Sequence, residues 1–221
     1  KGTCSNTLYI QAEDNAGNLS EKKSFVIKID SEHPTITSTT PNQYYKNGEN
    51  PGITFTAKDS NSVKDIVLTI IKDDVEIAAD TYAQNGIEFT KNEPEYDDSG
   101  NSVMTATLSF ASGAADGVYK IKAYAEDIAA QRSVVFVELS TTIDRAAPVF
   151  TTGSLKAGGE VWTDESYYEQ KNMLISGAFS DNLSNVKYLY YYVKPAAEEG
   201  RRKCILSRLY LRYALKKSAP N

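Results

Sequence analysis

The chain contains an internal repeat. Residues 12–36 read AEDNAGNLSEKKSFVIKIDSEHPTI, and residues 125–150 read AEDIAAQRSVVFVELSTTIDRAAPVF. When Asp30 is aligned with Asp144, the offset between the two copies is 114 residues (144 − 30). Because a repeat of fixed period determines the architecture, the sequence predicts copies of one module of about 115 residues.

A second pair of segments supports this repeat and locates its boundaries. Residues 53–70 (ITFTAKDSNSVKDIVLTI) resemble residues 174–193 (LISGAFSDNLSNVKYLYYYV), with Asp59 aligned to Asp181. The predicted parts are residues 1–33, the C-terminal strands of a first domain; residues 34–146, a complete domain; residues 147–194, the N-terminal part of a third domain; and residues 195–221, a basic tail.

The complete copy has the pattern of short β-strands separated by turns. Ile53, Phe55 and Ala57 alternate with threonines, which is the period-2 pattern of a strand with one buried face. Turn-forming Asn-Gly, Pro-Gly and Asp-Gly pairs separate this segment from others of the same kind. Further strands are predicted at residues 66–71, 103–110, 118–125 and 134–139. Short strands at this spacing, with no helix before residue 195, predict an all-β fold built as a two-sheet β-sandwich.

Tyr119 indicates the class of sandwich. It begins a predicted strand and shares the inward face with Ile121 and Ala123. In immunoglobulin-type (Ig-type) sandwiches a tyrosine corner occupies this place, and its hydroxyl bonds back to nearby backbone. The alternative is a core tyrosine with no special partner. Since Ile121 stands where antibody domains keep their second cysteine, the sequence predicts an Ig-like sandwich without the antibody disulfide.

A longer motif resembles a known family. Residues 12–20 form the pattern A-x-D-x-A-G-N-x-S, and residues 29–34 form I-D-x-x-x-P. Both resemble the bacterial Ig-like domains that occur in tandem arrays on secreted and cell-surface proteins. The second copy departs from the motif, because Ala130 and Gln131 replace its glycine and asparagine. The resemblance implies tandem Ig-like β-sandwiches, one complete and two partial, in an extracellular protein of the bacterial cell surface.

Carboxylates at the predicted domain junctions are the candidate metal ligands. In an Ig-type sandwich, the loops that carry Asp59 and Asp127 lie at the end where the chain enters through Asp30. Asp144 and Asp181 would form the corresponding set at the next junction. Several carboxylates converging there could hold Ca²⁺, a hard cation that takes six to eight oxygen ligands, and so stiffen the array. The alternative is that these residues bond their own backbone in turns and need no metal.

No catalytic arrangement is predicted. His33 is the only histidine, and it lies beside Pro34 in a linker, where a solvated side chain is expected rather than a general base. Without a second histidine, a Ser, His and acid trio cannot form within the sandwich. The chain is therefore expected to be non-enzymatic and to need no cofactor other than the candidate Ca²⁺.

Aromatic residues offer a second kind of binding site. Tyr44 and Tyr45 lie early in the complete copy, and Trp162 lies at a similar place in the third. Exposed rings can stack on sugar faces, which would make these residues a glycan-binding row. Equally, tyrosine is common on the outer face of strands and needs no ligand there.

The charge balance excludes some partners. The net charge of −5 and the pI near 5.1 argue against binding to nucleic acid, which requires clustered lysine or arginine. The sequence has no apolar run of the roughly 18 residues needed to span a bilayer. The resemblance to bacterial Ig-like domains implies a host or cell-surface protein or glycan as the partner.

The tail at residues 195–221 differs in composition from everything before it. It holds 7 of the 24 basic residues and 2 of the 29 acidic ones, a net of +5, whereas the rest of the chain has a net of −10. Its richness in leucine, arginine and lysine predicts a basic amphipathic helix. The other interpretation is a shift of reading frame near residue 195, because a native end here would leave a sandwich with an unpaired edge.

Taken together, the sequence predicts a non-catalytic tandem Ig-like stalk or adhesion module of an extracellular bacterial surface protein. The alternative is an accessory or carbohydrate-binding module of a secreted polysaccharide-degrading enzyme. A fold of this kind does not by itself separate the two roles, because such modules serve both.

Overall fold

The structure, a computed structural model, describes residues 4–151, 154–157, 160–161, 172–188 and 208–215. Helix in these residues is limited to two short 3-10 turns. Everything else that is regular is β-strand, arranged in several sheets, so the prediction of an all-β fold is confirmed. No helix in the described part of the chain is long and apolar enough to cross a lipid bilayer. The chain divides into two compact units, residues 1–143 and residues 144–221.

A hairpin opens the first unit. Strands β1 (Cys4–Ile10) and β2 (Lys23–Ile29) pair antiparallel, with Leu8 opposite Phe25. Every residue of both strands is exposed, including these two apolar side chains and Ile27. The hairpin is a sheet of its own and buries no core.

The rest of the first unit consists of ten strands in two five-stranded sheets. The first sheet has the order β3-β5-β10-β8, and β9 pairs with the start of β10. The second sheet has the order β4-β12-β11-β6-β7, in which β4 and β12 are parallel and the other pairs antiparallel. The strands are β3 (Thr35–Ser38), β4 (Tyr44–Tyr45), β5 (Gly52–Asp59), β6 (Val63–Lys72), β7 (Val75–Ile77), β8 (Ile87–Lys91), β9 (Glu95–Tyr96), β10 (Ser102–Phe110), β11 (Gly117–Asp127) and β12 (Val137–Ile143). The 3-10 turns, Ala79–Thr81 and Ala83–Asn85, lie between β7 and β8.

One hydrophobic core joins the two sheets. Alternate residues of β5 and β10 are buried on the first sheet, and alternate residues of β11 are buried on the second, as expected for strands with one inner face. Phe110 of β10 packs edge-on against Tyr119 of β11, with 4.9 Å between ring centroids. Tyr119 is 1% exposed, and its hydroxyl donates to the Ala115 carbonyl at 2.7 Å. The buried Tyr119 hydroxyl thus has a hydrogen-bond acceptor four residues earlier in the chain.

The strand predicted at residues 134–139 is displaced. The structure begins β12 at Val137, which pairs with Ala123, and continues it to Ile143. Val134, Val135 and Phe136 precede the ladder and are exposed. The run of apolar residues resembles a buried strand. The chain bridges to β11 at Arg132, opposite Glu126, but the continuous ladder begins only at Val137.

We expect a fragment of residues 35–148 to fold alone and a fragment of residues 1–30 to remain unfolded. The first fragment contains both sheets and their core, whereas the second contains only a two-stranded hairpin, which is marginal in water. Urea unfolding followed by circular dichroism checks both fragments. The absence of a cooperative transition for residues 35–148 would show that the core depends on segments outside that range.

The second unit contains one described sheet of five strands. Its order is β13-β16-β14-β15, and β17 pairs parallel with β16. The strands are β13 (Val149–Phe150), β14 (Lys156–Ala157), β15 (Glu160–Val161), β16 (Asn172–Ser180) and β17 (Arg208–Leu215).

The helix predicted for the basic tail is wrong for residues 208–215, because they form β17. Their sequence, RLYLRYAL, has leucine or tyrosine at every second position from residue 209 onward, a period that suits a strand as well as its composition suits a helix. The remaining tail residues, 195–207 and 216–221, lie outside the described part of the chain.

Candidate metal centre

Three five-residue loops share one conformation. They are residues 14–18, 97–101 and 127–131. In each, Oδ1 of the first aspartate accepts the backbone N–H groups of the third and fifth residues at 2.7–2.9 Å. The aspartate N–H in turn donates to the carbonyl of the fifth residue. Each loop begins with an aspartate. Its fourth residue, Gly17, Gly100 or Ala130, lies in the left-handed region, with φ of 87°, 80° and 62°.

The fifth residue of the loop decides what happens to the second oxygen of the aspartate. Asn18 donates its side-chain amide to Asp14 Oδ2 at 2.8 Å, and Asn101 does the same to Asp97 at 3.3 Å. Gln131 is one methylene longer. Its amide reaches the linker instead, where it donates to the carbonyls of residues 30 and 32 at 3.1 and 3.2 Å.

Asp127 is consequently left with one unsatisfied oxygen. Its side chain is 0% exposed, and its Oδ2 has no hydrogen-bond partner among the described residues. Burying a carboxylate oxygen without a donor is costly, since the group loses its hydration and gains nothing in exchange. The structure therefore holds an acceptor here that the surrounding protein does not satisfy.

Asp59, like Asp127, has one unsatisfied carboxylate oxygen. Asp59 is the last residue of the buried row of β5, and Asp127 is the last residue of the buried row of β11. Both carboxylates therefore lie at one polar end of the core. Asp59 Oδ1 accepts the backbone N–H groups of Asn61 and Ser62 at 2.7 and 3.0 Å. Its Oδ2 is buried and also has no partner among the described residues, and the whole residue is 3% exposed.

The linker after β2 brings a third carboxylate to this point. Asp30 Oδ1 accepts the N–H of Glu32, and its Oδ2 accepts the side-chain amide of Asn61 at 3.2 Å. The linker is held in place by Gln131, as described above, and by His33, whose Nδ1 donates to the Arg132 carbonyl at 2.9 Å. The only histidine of the chain is thus engaged in fixing the linker.

The three aspartates Asp30, Asp59 and Asp127 form one cluster. One oxygen from each lies within 4.8 Å of the other two. Burial raises the pKa of the Asp59 carboxyl, and the neighbouring carboxylates of the cluster add to the rise, while the N–H groups of Asn61 and Ser62 oppose it. The cluster is an all-oxygen, strongly negative site of the kind that binds a hard cation.

Two further carboxylates of these loops point to other partners. Asp65 pairs with Lys91 at 2.5 Å, and Glu126 pairs with Lys64 at 2.7 Å. Burial alternates along β11 up to its last residue, so Asp127 continues the buried row and Glu126, its neighbour, faces the other way.

The second unit contains a related pair. Asp144 and Asp181 are both buried, and the N–H of Ser184 donates to both, at 3.0 and 2.8 Å. Asp181 Oδ1 also accepts the N–H groups of Leu183 and Asn185. No third His, Cys, Asp or Glu in the described residues completes a metal-binding group with this pair.

Tyr44 and Tyr45, the two described residues of the predicted aromatic row, are not both exposed. Tyr44 is 43% exposed, but Tyr45 is 9% exposed and its hydroxyl accepts the N–H of Asn42. Neighbouring residues of a strand face opposite ways, so only one of the two rings is accessible to a sugar. Tyr45 is thus buried, whereas stacking on a sugar requires an exposed ring. Trp162 lies outside the described residues.

Replacing Ala130 with glycine should stabilise the folded protein. The φ of 62° at Ala130 is in the left-handed region, where a Cβ costs about 1–2 kcal/mol, whereas the two related loops have glycine there. After allowing for the greater freedom of glycine in the unfolded chain, Ala130→Gly should raise the free energy of unfolding by about 0.5–1 kcal/mol. Urea unfolding checks this, and Ala129→Gly, at a residue without positive φ, should lower it instead. A loss of stability on Ala130→Gly would contradict the loop geometry.

Sequence reasoning missed two residues of this region. The segment DDSGN at residues 97–101 was not recognised as a loop of this kind, although Asp97-x-x-Gly-Asn repeats the pattern that begins at Asp14. Gln131 was noted as a departure from the motif, and its reach into the linker depends on the fold. The sequence matches no known family model, and no curated protein shows significant similarity to it.

Proposed function

We propose that this chain is a non-catalytic piece of a tandem array of Ig-like sandwiches and acts as a semi-rigid stalk or adhesion module on a bacterial cell surface. The observation that carries the proposal is the repetition of hydrogen bonds at the repeat offset found in the sequence. A stalk needs identical modules joined by ordered linkers, and the bonds that recur are those of the linkers and of the loops beside them.

The loop after the penultimate strand recurs at an offset of 113 residues (127 − 14). Besides the loop bonds of Asp14 and Asp127, the hydroxyl of Ser20 accepts the N–H of Ala12 at 3.0 Å. The hydroxyl of Ser133 accepts the N–H of Ala125 at 3.2 Å. Two sequences that share few identities beyond these positions thus make the same local contacts, which supports a common module.

The linkers recur in the same way. Asp30 Oδ1 accepts the N–H of Glu32 at 3.1 Å, and Asp144 Oδ1 accepts the N–H of Ala146 at 3.2 Å. In each case Oδ2 of the same aspartate accepts a donor from the loop after the next long strand, the side chain of Asn61 or the N–H of Ser184. An ordered linker of this kind favours a stiff connection over a flexible tether.

Other features support the Ig-like class. The paired sheets around one core, and the Tyr119 hydroxyl bonded four residues back, match what the sequence led us to expect of such a sandwich. The apolar face of the β1–β2 hairpin, with Leu8, Phe25 and Ile27, is what the last two strands of another sandwich would present to their own core.

Surface labelling and glycan binding together test the proposed role. Antibodies against residues 35–143 should label intact cells, and the chain should show no saturable binding to a panel of bacterial, plant and host polysaccharides. Labelling only after permeabilisation would contradict the surface location. Saturable binding that is lost on Tyr44→Ala would instead support the alternative, an accessory module of a polysaccharide-degrading enzyme.

A further inference from the structure

We propose that Asp30, Asp59 and Asp127 bind one Ca²⁺ ion, which fastens the linker that carries Asp30 to the two-sheet unit. The inference concerns a binding site and does not depend on the stalk role, because the three carboxylates and their contacts are the same whatever the unit does. It rests on geometry and on two buried atoms that the protein itself leaves unsatisfied.

Those two atoms are the first step of the argument. Asp59 Oδ2 and Asp127 Oδ2 are the only buried side-chain oxygens or nitrogens without a hydrogen-bond partner in the described residues. Both belong to the one group of carboxylates whose oxygens converge within 4.8 Å. An orphaned acceptor is unusual in a folded protein, and two in one cluster indicate a ligand that supplies positive charge to both.

The protein backbone prepares these oxygens rather than neutralising them. In both aspartates Oδ1 accepts two backbone N–H groups, which fixes the orientation of the carboxylate and leaves Oδ2 available. No lysine or arginine pairs with either carboxylate among the described ion pairs. Lys58, which precedes Asp59 in the sequence, pairs with Asp97, and Lys64 and Arg132 both pair with Glu126.

The two related loops show which groups contact the second oxygen of the aspartate where no metal site is proposed. In the loop that begins at Asp14, the fifth residue is Asn18, and its amide donates to the second oxygen of the aspartate. In the loop that begins at Asp97, the second oxygen accepts Lys58 at 2.6 Å and the amide of Asn101 at 3.3 Å. In the cluster loop the fifth residue is Gln131, which donates to the linker instead. Gln131 therefore leaves Asp127 Oδ2 without a donor and, at the same time, anchors the segment that supplies Asp30.

The chemistry of the site selects calcium. All three ligands are carboxylates, with no histidine or cysteine, so a hard cation is favoured over zinc or copper. Magnesium keeps much of its water shell, but Asp59 and Asp127 are 3% and 0% exposed and leave little space for one on their side. Calcium sheds water more readily and accepts an irregular set of oxygens, with water completing the shell beside the half-buried Asp30.

Calcium titration of the whole chain tests the proposal. Isothermal titration should detect a site with a dissociation constant on the order of 10⁻⁴–10⁻³ M, the range of extracellular calcium modules. In urea unfolding, Ca²⁺ at about 100 times that constant should raise the folded-to-unfolded ratio about 100-fold over the same sample in EDTA. Mg²⁺ at the same concentration should produce a smaller effect.

Two variants and a matched control locate the site. Asp127→Asn keeps the Oδ1 acceptor and removes the charge, so it should lose one equivalent of Ca²⁺ while remaining at least as stable as the parent chain in EDTA. Gln131→Asn should place an amide over Asp127 Oδ2, as in the two related loops, and weaken Ca²⁺ binding at least 10-fold without changing the charge. Asp14→Asn alters the same loop in the hairpin, away from the cluster, and should leave Ca²⁺ binding unchanged.

Three results would overturn the proposal. One is an unfolding midpoint that is the same in Ca²⁺ and in EDTA. Another is Ca²⁺ binding that survives both Asp127→Asn and Gln131→Asn with its stoichiometry intact, which would place the ion elsewhere. The third is a unit that ignores Ca²⁺ but becomes more stable as the pH falls from 7, which would show that the carboxylates share a proton rather than a metal.

Discussion

Replacing Tyr119 with alanine should lower the free energy of unfolding of the two-sheet unit by about 3–5 kcal/mol. Tyr119 is among the largest fully buried side chains, and its ring packs against Phe110 of the facing sheet. Truncation would leave a cavity between the sheets and remove the hydroxyl that donates to the Ala115 carbonyl at 2.7 Å. Urea unfolding of the chain, followed by circular dichroism, measures the loss.

Tyr119→Phe is the control that separates packing from hydrogen bonding. It keeps the ring and removes only the hydroxyl, and the Ala115 carbonyl is at an exposed residue where water can replace the lost donor. We therefore expect Tyr119→Phe to cost about 1 kcal/mol. If both variants lost the same amount, the hydroxyl and not the ring would hold the sheets together at this point, against the packing described above.

Gly86→Ala should cost about 2–4 kcal/mol, because two effects add at this residue. Gly86 has a φ of 67°, and a Cβ placed on it would lie 2.7 Å from the backbone nitrogen of Ala114. The loop that carries Ala114 cannot retreat easily, since the N–H of Ala111 donates to the Gly86 carbonyl at 2.8 Å. The start of β8 would have to move away from the core.

Gly48→Ala supplies the matched control for this prediction. Gly48 also has a positive φ, of 82°, but a Cβ there would meet no atom within 4 Å. Its substitution should show only the backbone strain, about 1–2 kcal/mol. The difference between the two variants in urea unfolding then measures the close approach to Ala114. Equal losses would mean that the contact between the two loops is looser than 2.7 Å.

The strands of the two-sheet unit could be predicted from the sequence because their alternation is strong. In β5 and β10 every second residue is buried, and within the predicted segments 53–57 and 103–110, which lie inside the observed strands, all of these buried residues are apolar. Where alternation was absent, prediction failed. The run of apolar residues at 134–136 carries no period, and it lies outside the ladder. In β17 the period was present, but leucine and arginine also favour helix and the composition was given more weight.

The candidate site was predictable in its main residues and not in its detail. The repeat placed Asp30, Asp59 and Asp127 near one end of a sandwich, and the structure brings them together. The orientation of each carboxylate could not be predicted, because it depends on which backbone N–H groups the loops present. In a strand of only two residues, the sequence does not indicate which side chain faces the core. For that reason the burial of Tyr45 could not be predicted.

The linker contacts also bear on how fast the unit folds and unfolds. Gln131 meets the Asp30 carbonyl, and His33 meets the Arg132 carbonyl, across sequence separations of 101 and 99 residues. Contacts of such separation require closure of nearly the whole unit, as does the pairing of Tyr44 with Thr142 that joins β4 to β12, so we expect all of them to form late in folding. Interactions that form after the folding transition state slow unfolding and leave the folding rate almost unchanged. We therefore expect the hydrogen bonds of Gln131 and His33 to lengthen the lifetime of the folded unit more than they speed its formation.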